Sequence, residues 1–240
     1  MERNRHQLST MRDIRFDPGQ DTLIAIGSLL AFWGIYYLQG TVSGPLMLAV
    51  FLGANLLLCV LLPAYYVVRI RGEALSAVGL TKRGWKRALS VSIVGATLLS
   101  PGLVLVSSEL TTTALLAHTL TIGLLFWEPF FVHGWLQTRF EHGFGAGGGV
   151  LLAGAGFALF HVGRLSPTVL LILFGVGVVH AVLFRACNQN LIVLWPLLWT
   201  VGSAPRSLAF GTATFGWEEA FVYAILLVMT VIGLVLIARK

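Results

Sequence analysis

The sequence predicts an all-α, polytopic membrane protein of about eight transmembrane helices. Three observations lead there. Of the 240 residues, 57% are hydrophobic and 11% charged, less than half the charged fraction of a soluble domain. Mean hydropathy is +0.85. Apolar stretches recur along the whole chain at lengths near the ~20 residues a helix needs to cross a bilayer. The same figures exclude a soluble domain, a disordered chain and a disulfide scaffold. Cys59 and Cys187 fall in or beside apolar stretches and read as small buried hydrophobes.

Residues 1–21 are polar, with no apolar core of a signal peptide, and read as a cytoplasmic tail. The expected spans are 22–39, 45–68, 89–107, 113–138, 148–163, 167–186, 190–204 and 217–238, within one domain over 22–240. The seventh is short and bounded by Asn190 and Pro205, as a tilted or broken helix would be. Between spans two and three, residues 73–88 are polar, with Trp85 beside Lys82, Arg83, Lys86 and Arg87. This segment reads equally as an interfacial amphipathic turn and as a linker. Gly143, Gly145, Gly147, Gly148 and Gly149 predict a tight turn between spans four and five. Gly154 and Gly156 allow close helix approach in span five. Glu218 and Glu219 suit the start of the last helix.

The basic residues set the orientation. With eight spans, one side collects Arg3, Arg5, Arg12, Arg15, Arg69, Arg71, Lys82, Arg83, Lys86, Arg87, Arg139, Arg185, Arg239 and Lys240. The other side has Arg164 and Arg206 alone. Basic residues favour the cytoplasmic side, so both termini are expected there, in a plasma membrane of the bacterial type. The net charge of +6 is then a topology signal, with the lipid bilayer and not nucleic acid as its partner.

An ionisable side chain inside a span costs a few kcal/mol unless paired or hydrated, so such residues are candidates for chemistry. Span four carries Glu128 between His118 and His133. Spans five and six carry His161 and His180. Spans four and five form an antiparallel hairpin, and Glu128 and His161 are symmetric about its glycine-rich tip. Each lies about 16 residues, or roughly 20–25 Å, from that tip, so the two can meet in one cavity. In a wet cavity the carboxylate takes a proton from water while the imidazole orients that water. The same pair also reads as a buried hydrogen bond between packed helices. Glu128, His161 and His180 have the chemistry to ligate zinc. No H-E-x-x-H or similar local spacing is present, and neither a metal nor another cofactor is expected.

Two motifs then resemble a known family. Glu128-Pro-Phe-Phe-Val-His-Gly134-Trp-Leu136-Gln137 resembles motif one of the CAAX-protease and bacteriocin-processing (CPBP, or Abi) intramembrane proteases, E-E-x-x-x-R-G followed by an aromatic, Leu and Gln. Phe157-Ala-Leu-Phe-His161 resembles motif two, F-x-x-x-H, and Val78–Trp85 resembles a phrase that precedes the family's core. The resemblance covers about residues 75–205. It implies a CAAX-protease-like helical bundle and an endopeptidase cutting a membrane-associated peptide or protein, with Glu128 and His161 activating water. It also implies a third-motif His and Asn that stabilise the oxyanion. The departures are Pro129 in place of the second Glu, His133 in place of Arg, and Leu197-Leu-Trp-Thr200-Val-Gly-Ser203, with no His and no Asn, where H-x-x-x-N belongs. His133 stands as a replacement donor, and His180, Thr200 or Ser203 as substitutes for the third motif. The alternative implied by these departures is a proteolytically inactive member acting as a membrane scaffold or as a subunit that binds a membrane-protein partner.

Overall fold

A computed structural model describes residues 14–39, 41–209 and 214–239; these form helices joined by turns and loops, with one isolated bridge between Val162 and Leu165 and no strand. Arg3, Arg5, Arg12 and Lys240, which contribute to the charge asymmetry, lie outside the described residues. Helix α1 is Gln20–Gln39. Helix α2 (44–70) runs through Gly44–Leu52, a π-helical Gly53–Leu61, Leu62–Tyr65 and a π-helical Tyr66–Ile70. Helix α3 is Trp85–Val106 and α4 is Thr112–Gly123. Helix α5 (127–144) begins at Trp127–Pro129, continues through a π-helical Phe130–Gln137 and ends before Gly145. Helix α6 (146–159) follows, then α7 at Pro167–Ala186, α8 at Leu197–Ala209 and α9 at Trp217–Ala238.

Six helical stretches among the described residues are long and apolar enough to cross a membrane: Gln20–Gln39, Ala49–Ile70, Trp85–Val106, Thr112–Leu159, Pro167–Ala186 and Trp217–Ala238. The protein is thus a helical membrane protein. The 48-residue stretch Thr112–Leu159 contains expected span four and residues 148–159 of expected span five. Expected span seven is a three-residue turn, Leu191–Val193, followed by the 13-residue α8.

Two details of the 112–159 stretch differ from the sequence expectation. The expected continuous span 113–138 is interrupted at Leu124–Phe126, directly before the Glu128 motif. Proline lacks a backbone N–H and clashes with the preceding turn inside a helix, but the first turn of a helix tolerates it. Pro129 therefore sits in the first turn of a new helix instead of bending an old one. The glycine run is also helical except at Gly145, whose φ of 74° and ψ of 176° reverse the chain. That backbone lies in a region open chiefly to glycine. The reversal brings α5 and α6 side by side. A Cβ placed on Gly156 would lie 3.5 Å from Leu136, which puts the hairpin axis within a residue of Gly145.

Helix α6 also packs on α7. A Cβ on Gly154 would lie 2.6 Å from Val178 Cγ2 and 3.0 Å from the Phe174 carbonyl, so these helices meet backbone to backbone. Helices α4 and α8 run antiparallel. His118 Nε2 meets the Ala204 carbonyl at 3.2 Å and the Ser207 hydroxyl at 2.8 Å, and Gly123 faces Thr200. His118 Nδ1 accepts the Phe215 N–H at 3.1 Å, so this fully buried imidazole also fastens the approach to α9.

The end of the bundle where α1 starts and α2 stops holds a buried ionic cluster. Arg139 is 0% exposed and lies 3.3 Å from Asp21 and 3.0 Å from Glu73, beneath the Trp135 ring. Arg71 pairs with Asp21 at 3.4 Å, and Tyr66 donates to Asp21 at 2.6 Å. Nearby, Glu141 bonds Arg185, Gln189 and Gln137. Residues 14–19 lie against this end: Arg15 and Asp17 donate backbone hydrogen bonds to Phe144 and Gly143. The 73–88 segment is more than a linker. Val78 is fully buried, the Gly79 carbonyl accepts the Leu191 N–H, and Asn190 Nδ2 holds the Thr81 and Arg83 carbonyls at 2.9 Å each.

Candidate functional site

The opposite end of the bundle contains a cavity of about 700 Å³. Gln39 at the end of α1, Arg164 in the α6–α7 turn, and Glu218 and Glu219 at the start of α9 line it. Deeper, its wall includes Tyr36, Asn55, Trp127, Glu128, Phe157, His161, Ser203 and Arg206. Both Glu128 and His161 therefore open onto one space. The hairpin explains this: an axis at Gly145 sets the second residue of α5 level with the residues just beyond the end of α6.

Glu128 sits at the N-terminal turn of α5, where unpaired backbone N–H groups favour a carboxylate. Its Oε2 accepts the Trp199 indole N–H at 3.2 Å. His161 follows α6 in a turn, and its Nδ1 meets the Phe157 carbonyl at 2.9 Å. A carbonyl only accepts, so Nδ1 carries the proton and Nε2 is left as an acceptor. The imidazole is held in place by Phe160, with ring centroids 4.1 Å apart, and by Tyr36 and Phe157 at 5.6 Å each.

Of the other candidates Ser203 lines this cavity, whereas His133, His180 and Thr200 lie outside it. His133 and His180 are buried, with ring centroids 6.0 Å apart. His133 Nδ1 donates to Gln137 Oε1 at 3.0 Å, beginning a line of side chains, His133–Gln137–Glu141, along one face of α5. Trp199 stands between this pair and the cavity. It is 0% exposed, 5.1 Å from the His180 ring, 6.1 Å from His133 and 5.6 Å from Phe157. Thr200 points to α4, and its hydroxyl donates to the Pro196 carbonyl at 2.6 Å, the usual back-bond of a helical threonine. Among the described residues no three His, Cys, Asp or Glu side chains converge as metal ligands.

Sequence reasoning missed Asn55, Trp199 and Arg206. Asn55 is 1% exposed, lies in the π-helical part of α2, and neither atom of its amide has a partner. Arg206 donates to the Gly202 carbonyl at 2.7 Å and to Ser203 Oγ at 2.8 Å, and its buried Nη1 has no partner. Its guanidinium lies 6.0 Å from the Phe157 ring centroid. The indole N–H of Trp127 and the amide nitrogen of Gln39 are likewise buried without partners on the cavity wall. A lone amide inside span 45–68 was the available signal for Asn55, but attention to ionisable groups passes over it. An end for span seven at residue 204 leaves Arg206 outside the membrane in the sequence, whereas α8 continues through it to Ala209.

Fold and site together define the class: a helical membrane protein with a cavity between its helices lined by apolar residues and a few polar and charged ones. No family model, no curated protein and no solved structure matches the chain.

Proposed function

We propose that the protein is an intramembrane hydrolase that cuts a peptide bond in a membrane-associated peptide or protein. The observation that carries this reading is the shared cavity of Glu128 and His161, in a chain whose motifs resemble the CPBP intramembrane proteases. A water between them donates one hydrogen to Glu128 and the other to His161 Nε2, leaving its lone pair free for a carbonyl carbon. Glu128 takes the first proton as the C–O bond forms and returns it to the amine nitrogen as the C–N bond breaks. Trp199 holds one carboxylate oxygen, which leaves the other to accept from the water. In this reading the chain crosses a bacterial plasma membrane about eight times with both termini cytoplasmic. The six long apolar stretches and the charge asymmetry support that arrangement.

The test uses full-length protein in nanodiscs with a pool of bilayer-inserted peptides randomised around a central bond. Parent protein yields new peptide termini by mass spectrometry, and Glu128→Gln yields none while keeping its thermal midpoint. Gln preserves the shape but cannot take the proton. A second reading, a proteolytically silent scaffold for a membrane-protein partner, rests on one observation: Trp199, Leu197 and Thr200 stand where the resemblance implies a polar third motif. Full biological function in Glu128→Gln, with a partner still co-purifying, selects it.

A further inference from the structure

The cavity is rich in unused hydrogen-bond donors. Buried polar groups are almost always satisfied, and each orphan asks what it is for. Here the orphans cluster. Asn55 Nδ2, Arg206 Nη1, Trp127 Nε1 and Gln39 Nε2 are all buried, all without a partner, and all belong to residues lining the space that Glu128 and His161 share. Packing does not call for the orphan polar atoms themselves, because an apolar group of similar shape avoids the desolvation cost of about 1–3 kcal/mol per group.

Two of the four belong to residues beside the elements that bear on Glu128. Arg206 is fixed by its bonds to Gly202 and Ser203, which leave Nη1 as the free arm of the guanidinium. It shares the Phe157 ring with His161 and Trp199, and Trp199 bonds Glu128. Asn55 lies in Gly53–Leu61, which packs against Trp127–Pro129 and so against the start of the helix that carries Glu128. Donors beside a base suit a negative charge that develops on an oxygen during reaction.

We propose that Arg206 Nη1 and Asn55 Nδ2 form the oxyanion site of this protein, donating to the substrate carbonyl oxygen as it becomes negative. The assignment rests on the hydrolase reading above. As water adds, the carbonyl π electrons move to that oxygen, which the two donors receive. When the C–N bond breaks, the electrons return to re-form the carbonyl, and Glu128 protonates the leaving nitrogen. Six positions separate Arg206 from Thr200 on α8, so the donor role moves along the helix, from the hydroxyl that faces α4 to the guanidinium that faces the cavity.

The test compares parent, Arg206→Met, Asn55→Leu and Arg206→Lys in nanodiscs, with the same peptide pool in heavy-oxygen water. Mass spectrometry reads the heavy isotope in new carboxyl termini, and thermal midpoints report folding. The expected result is a loss of about a hundred- to a thousand-fold in kcat for Arg206→Met and Asn55→Leu, with KM nearly unchanged and partial recovery in Arg206→Lys. The two sites lie on different helices, so failure of one variant to fold leaves the other to decide. Parental turnover in both variants overturns the oxyanion assignment and leaves the hydrolase reading intact. A rise in KM with kcat held also overturns it, since the donors then serve the ground state. No isotope incorporation by the parent removes the hydrolase reading, and the oxyanion site with it.

Discussion

Arg139→Met offers a direct measure of what holds the α1–α2–α5 end together. The guanidinium is wholly buried and reaches Asp21 at 3.3 Å and Glu73 at 3.0 Å. Met keeps much of the apolar stem and the contact beneath Trp135, so the change isolates the charge. Removing one partner of a buried ion pair costs about 3–5 kcal/mol, because the other charge stays behind uncompensated. Here the residual charges are partly relieved. Asp21 keeps Arg71 at 3.4 Å and the Tyr66 hydroxyl, and the Glu73 side chain is 30% exposed. The lower end, about 3 kcal/mol, is therefore expected. For a chain of this size each kcal/mol moves the midpoint by about 2–4 °C, so the melt should fall by roughly 6–12 °C. The assay is thermal denaturation in detergent, followed by intrinsic fluorescence. Adding Glu73→Gln to Arg139→Met should restore part of the loss, since it removes a carboxylate left without its partner. If Arg139→Met melts with the parent, or the second substitution lowers the midpoint further, the ion cluster does not hold this end.

Four shorter predictions accompany it. Gly154→Val should destabilise the α6–α7 contact by about 1–3 kcal/mol, read as a lower midpoint, because its side chain meets Val178 and the Phe174 backbone. His118→Ala should raise amide exchange at Phe215 above the parental rate, since the Phe215 N–H loses its acceptor. Asn190→Ala should expose the 81–83 loop to protease, because its amide is the side-chain donor on both the Thr81 and Arg83 carbonyls. With Cys59 and Cys187 replaced by Ala, a cysteine at position 82 should react with an impermeant thiol reagent only in opened cells, and one at position 164 in intact cells; the reverse pattern inverts the topology.

The helical segments, the hairpin and the depth match of Glu128 with His161 were legible because each depends on local pattern. Hydropathy marks the helices, the glycines mark the turn, and antiparallel counting does the rest. The break at Leu124–Phe126 was not legible. Apolar residues continue through it, and Pro129 fits either a bend or a new first turn. Arg206 and Asn55 were hidden for a different reason. Their importance lies in partners they do not have, and an unpaired donor is a property of the assembled cavity. Trp199 likewise looks like packing in the sequence, yet it separates two buried histidines from Glu128 and bonds the carboxylate.

The short helices α4 and α8 bear on how the protein is made. At 1.5 Å per residue, their 12 and 13 residues extend only about 18–20 Å, short of a ~30 Å hydrocarbon layer. Helix α8 also carries Ser203, Arg206 and Ser207, which a translocon would reject as a free-standing segment. Its shelter is ready before it emerges: α3 supplies Ser92, whose hydroxyl accepts the Leu198 N–H, and α4 supplies His118. Helix α8 should therefore depend, during synthesis, on helices already made. Lesions in α3 or α4 should then appear first as α8 stranded outside the membrane and cleared by quality-control proteases, before any effect on the cavity is seen.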